Sequence, residues 1–78
     1  PNPARIATNV HYAIAQDSKV QILIYNEQGK LIKQVMNQPQ SAGLYNVTFG
    51  VSDLKNGYYI YKVIGNGHEV SRRLFIQR

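Results

Sequence analysis

With 78 residues and no cysteine, this chain must hold its fold with one small hydrophobic core, because neither a disulfide nor a thiolate metal site is available. Its 44% hydrophobic and 17% charged content excludes a disordered tail, and no run reaches the roughly 18 apolar residues of a membrane-spanning helix. The net charge of +5 would suit an anionic partner. However, Arg5, Lys19, Lys30, Lys33, Lys55 and Lys62 lie scattered and only Arg72, Arg73 and Arg78 approach a cluster, so no nucleic-acid partner is expected.

The first residues, Pro1-Asn2-Pro3-Ala4-Arg5, lack the apolar centre of a signal peptide. Each proline forces extended backbone on its neighbour, so the segment reads as the entry from a linker into a single domain spanning 1–78. The expectation is a module of a longer chain, with any signal peptide upstream. The absence of cysteine leaves bacterial export open.

No window repeats apolar residues at helical spacing, whereas alternation at two recurs throughout, so the chain reads as all-β. Ile6 to Ile14 alternates Ile6, Thr8, Val10, Tyr12 and Ile14 against Ala7, Asn9, His11 and Ala13, then stops at the polar turn Gln16-Asp17-Ser18. Lys19 to Tyr25 is apolar on both faces, the pattern of a central strand covered on both sides. Asn26-Glu27-Gln28-Gly29 supplies a turn with glycine where positive φ is needed, and Lys30 to Met36 returns as a more polar third strand.

Asn37 to Gly43 contains Pro39 and Gly43 and is expected to be a loop that changes sheet. Leu44 to Val51 then points Tyr45, Val47, Phe49 and Val51 inward and Asn46, Thr48 and Gly50 outward. Ser52 to Gly57 is the next turn. Gly57 to Ile64 and Glu69 to Gln77 are joined by Gly65-Asn66-Gly67, a hairpin signal because Asn-Gly tolerates positive φ at both turn positions. Six to seven short strands with evenly spaced turns predict a small immunoglobulin-like antiparallel β-sandwich.

Catalysis requires convergent groups, and their spacing here suggests none. Asp17, Glu27, Asp53 and Glu69 stand in or beside different turns, and turn chemistry accounts for them better than acid–base work. His11 and His68 have no acidic motif beside them, and no serine sits in a Gly-x-Ser-x-Gly elbow, so no catalytic, metal or cofactor site is expected. Tyr12, Tyr25, Tyr45, Tyr58, Tyr59 and Tyr61 invite a sugar-stacking platform. Yet Tyr59 and Tyr61 share one strand face and Tyr58 takes the other, which favours core or inter-sheet packing. Asn46-Val47-Thr48 matches a glycosylation pattern that strand alternation already explains. Arg72 and Arg73 face opposite ways on a strand and divide between edge protection and partner recognition.

Taken in order, Pro1-Asn2-Pro3-Ala4, the turn Tyr25 to Lys30, Ala42-Gly43-Leu44-Tyr45, Leu54-Lys55-Asn56-Gly57-Tyr58-Tyr59 and the closing Arg72 to Arg78 form a series with characteristic spacing. That series resembles the type A C-terminal sorting domain of the type IX secretion system of Bacteroidetes, over essentially the whole chain. The resemblance implies an immunoglobulin-like sandwich behind an exported cargo, addressed through the periplasm to an outer-membrane translocon and on to the cell surface or extracellular space. It also implies a sortase-like protease as a second partner. Gly29, Gly43, Leu54, Gly57 and Tyr59 would be the structural motif, and Arg72, Arg73, Leu74, Phe75, Ile76 and Arg78 the strand read by the machinery. The family typically has lysine where this chain has Arg72, Arg73 and Arg78; charge is kept, but arginine is not equivalent to lysine for a receptor that grips an ammonium. A spacer or carbohydrate-binding appendage is the alternative, and a dimer through an open edge strand is a further expectation.

Overall fold

A computed structural model describes residues 7–77, which form six strands and no helix. In chain order these are β1 (Ala7–Ile14), β2 (Ser18–Asn26), β3 (Leu31–Gln40), β4 (Gly43–Gly50), β5 (Gly57–Gly65) and β6 (His68–Ile76). All pairings are antiparallel: β1 with β4 in a two-stranded sheet, and β3-β2-β5-β6 in a four-stranded one. The architecture is a small β-sandwich. Of the expected first strand Ile6, and with it Arg5, the opening Pro1-Asn2-Pro3-Ala4 and the closing Arg78, lie outside the described residues.

The two-residue period decides which side chains fill the space between the sheets. Val10 and Ile14 from β1, Val20, Ile22 and Ile24 from β2, Phe49 from β4, Val63 from β5, and Leu74 and Ile76 from β6 build one core, with Val51 and Leu54 from the β4–β5 turn. Tyr12, Val47, Tyr45, Tyr59 and Tyr61 pack on its margin, where Tyr12 stacks on Tyr45 at 5.4 Å between ring centroids. Tyr12 donates its hydroxyl to Gln40 Oε1 at 2.6 Å, and burial raises the pKa of this phenol above its ordinary value of 10.0.

Turn chemistry follows the residue types. Asn26 Oδ1 accepts hydrogen bonds from the backbone N–H groups of Gln28 and Lys30, and Gly29 completes the turn at φ +85°. The β5–β6 hairpin turns through Asn66 and Gly67 at φ 50° and 74°, with Gly65 opposite His68, the two-positive-φ geometry of a type I′ turn. Asp17 Oδ1 accepts from the Ala42 N–H at 2.8 Å, so this carboxylate ties two connections together.

Three expectations need correction. Asn37 to Gly43 is not a loop: β3 continues through Pro39 to Gln40, and only residues 41–42 separate it from β4. Pro39, opposite Lys19, is tolerated because β3 is an edge strand paired on one side, where a missing N–H costs no second ladder bond. The change of sheet does occur there, from β3 in the larger sheet to β4 in the smaller. The tyrosine triplet divides between the faces as its alternation predicts, but the expected core or inter-sheet packing fails for Tyr58. Tyr59 and Tyr61 pack on the core, whereas Tyr58 is 49% exposed on the outer face of the four-stranded sheet. That outer face has no second layer among the described residues, so β2 is covered on one side and not, as expected, on both; Leu23 is buried there by its strand neighbours, with Lys62 and Gln34 opposite it in register.

Candidate recognition surface on the terminal hairpin

Of the motif residues, Leu54, Gly57 and Tyr59 lie at the entry to β5, whereas Gly29 sits in the β2–β3 turn and Gly43 at the start of β4, opposite Ile14. Leu54 is buried, and its N–H donates to the Val51 carbonyl at 3.0 Å, which closes a tight turn under the core. Tyr59 donates its hydroxyl to the Lys55 carbonyl at 2.7 Å, pinning this turn to the strand that follows. Gly57 and Gly43, each at the first position of a strand, adopt φ values of +145° and +154°. From the other side Lys33 Nζ donates to the Gly50 carbonyl at 3.2 Å and pairs with Asp53 at 3.1 Å, joining edge strand β3 to the β4–β5 connection. At this exposure the ion pair contributes at most about 1 kcal/mol.

β6 is carried on this base, and the pleat divides its residues between two environments. Leu74 and Ile76 enter the core at 2% and 0% exposure, opposite Tyr59 and Gly57. Phe75 takes the outer face and stacks on Tyr58 with ring centroids 4.6 Å apart. Arg73 shares that face and lies 5.9 Å above the Tyr58 ring, an exposed cation–π contact. Lys62 does the same for Tyr25 at 4.9 Å while pairing with Glu69 at 3.5 Å.

Arg72 takes the opposite phase, facing the small sheet rather than the outer surface, since its register partner Tyr61 packs on the core. It is nevertheless exposed, and so are Val70 and His68 in the same phase. The reason is width: two strands cannot cover four, and the part of β6 nearest the β5–β6 turn is left uncovered. Among the described residues Arg72 makes no ion pair; its guanidinium reaches only the Ser71 carbonyl, at 3.5 Å. Of the six residues expected to form the recognised strand, Arg72, Arg73 and Phe75 are presented at the surface. Leu74 and Ile76 form the underside that anchors the strand.

No three histidine, aspartate or glutamate side chains gather in a metal-binding group among the described residues. Residue types alone do not reveal the aromatic pair Tyr58–Phe75 or the uncovered flank beside Arg72; both depend on how β5 and β6 register. The closest signal in the sequence is the aromatic or apolar residue at three of the four outer-phase positions of β5, Tyr58, Ile60 and Ile64, interrupted by Lys62.

The fold and its surface define a small β-sandwich that offers a basic, aromatic-braced hairpin of β5 and β6. The family model for the secretion system C-terminal sorting domain matches residues 1–77, and the chain belongs to this family of type IX secretion sorting domains. No curated protein and no solved structure matches the chain. The family's domains are sorting signals and are non-catalytic in general.

Proposed function

We propose that this domain is a folded address label that sends an N-terminal cargo in the same chain through the periplasm and across the outer membrane, for surface attachment or release. An outer-membrane translocon reads β6, and a sortase-like protease acts on the exported product. The residues read are Arg72, Arg73 and Phe75, together with Arg78, while Leu74 and Ile76 hold the strand flat against the core. The observation that carries this reading is the family match over residues 1–77 combined with two adjacent arginines displayed on opposite faces of the last strand.

The test is a secreted fusion carrying Arg72→Glu and Arg73→Glu. Export is expected to fall to background while the isolated domain keeps its circular dichroism spectrum and cooperative melting. Unchanged export with both charges reversed refutes the reading. Deleting Phe75 to Arg78 would not serve, since it also removes the core residue Ile76.

A further inference from the structure

The narrow sheet leaves one flank of the sandwich open. β1 pairs with β4 on one side, and its other edge has no strand partner among the described residues. Beside that edge runs a groove of about 230 Å³, bounded by Tyr12 and Val10 of β1 and floored by Tyr61, Val63, Val70 and Arg72. A narrower extension of about 60 Å³ continues toward Gly65 and His68. Val70 is 44% exposed although its strand phase points it at the interior, so the floor is apolar surface that the fold leaves uncovered.

We propose that this flank binds an extended acidic segment of a partner protein, which adds to β1 as a third strand and completes the small sheet. Strands in a sheet lie about 4.8 Å apart and packed sheets about 10 Å apart, so a strand hydrogen-bonded to β1 stands over β5 and β6. Every second side chain then points down into the groove. Val70 and Arg72 are two residues apart and share a face, so the same two-residue period in the guest sets an apolar side chain over Val63 and Val70 and a carboxylate against Arg72.

Charge selects the occupant. The chain carries +5, and a second copy docked edge to edge through β1 would bring two Arg72 side chains and two positive domains to one seam. An acidic guest meets the opposite sign. Two of the other edges are less suitable: β3 is interrupted by two register shifts and Pro39, and the Gly50 carbonyl at the end of β4 already accepts from Lys33; the free edge of β6 does not run beside this groove's β1 wall. The proposal rests on the sorting reading only for supposing that the guest belongs to the secretion machinery; the docking itself stands on the groove.

The experiment uses the 78-residue chain and a fluorescein-labelled ten-residue peptide with valine, valine and aspartate at successive alternate positions and threonine elsewhere, read by anisotropy. Saturable binding is expected, weakened at least tenfold by Arg72→Glu and by Val70→Lys. Arg73→Glu, on the far face, should change it less than twofold, and Arg72→Lys should retain most of it. Two N-methylated versions of the peptide separate strand addition from charge attraction, because alternate N–H groups of a strand point to opposite sides. One version should lose binding and the other keep it. No binding by the parent peptide, equal binding by both N-methylated versions, or equal losses from Arg72→Glu and Arg73→Glu overturns the proposal. Export of the fusion is scored separately, so that the sorting reading and the docking site can each fail without the other.

Discussion

Tyr58 and Phe75 stack across β5 and β6 with their ring centroids 4.6 Å apart and their planes 23° from parallel, on the face of the sheet that points away from the core. The last strand is therefore gripped from both sides: Leu74 and Ile76 below, the aromatic pair above. On the proposed sorting reading this brace matters, since the exposed half of β6 then does not depend on the core alone to stay a strand.

Phe75→Ala should remove the stack and lower stability by about 0.5–1.5 kcal/mol beyond the loss of buried area. Urea unfolding gives the total, and amide hydrogen exchange should show the added opening concentrated in β6. Uniformly faster exchange across all six strands would argue against a local clamp.

Ile76→Ala should be much more damaging. Ile76 is fully buried, and truncation of such a residue costs about 2–5 kcal/mol. That is a large part of the roughly 5–15 kcal/mol that stabilises an ordinary domain. Deletion of Phe75 to Arg78 should abolish cooperative unfolding altogether; a truncated chain that melts at the parent midpoint would place the core elsewhere.

The hairpin turn offers a backbone test. A Cβ added to Gly67 would meet nothing within 4 Å, so the cost of Gly67→Ala comes from its φ of +74° alone and should be about 1–2 kcal/mol. Asn66→Gly should be close to neutral by comparison. In Gly65→Ala the backbone is ordinary but the new methyl meets Val20 Cγ2 at 3.1 Å, so its cost is steric and should be relieved by Val20→Ala. Chemical denaturation of the single and double variants distinguishes the two causes.

Tyr12 predicts an alkaline weakness. Burial raises its folded-state pKa above the ordinary 10.0, so above that pH the unfolded chain loses this proton before the folded one does. The associated stability is fully present below pH 10 and declines as pH rises through the folded value. Tyr12→Phe also removes the bond to Gln40, so its baseline will differ; the informative quantity is the slope of unfolding free energy between about pH 9 and 11.5, which should be shallower in the variant. Parallel slopes would contradict the assignment.

Much of this molecule could be read from residue order. Alternation in Leu44 to Val51 specified which side chains point inward because a strand has only two faces, and Asn66-Gly67 specified a hairpin because few residues tolerate positive φ. The motif series through Gly43, Leu54, Gly57 and Tyr59 carried the family. Pro39 was misleading because its effect depends on whether a second strand pairs with its own, which is a property of the sheet. For the same reason local pattern could place Arg72 and Arg73 on opposite faces but could not say what each face meets. Only the tertiary structure decided that Arg73 lies over Tyr58 on an uncovered outer face, while Arg72 borders a groove that two strands are too few to close. Alternation is a one-dimensional signal, whereas the number of strands in each layer and the alignment of one layer over the other arise from pairings between residues far apart in the chain.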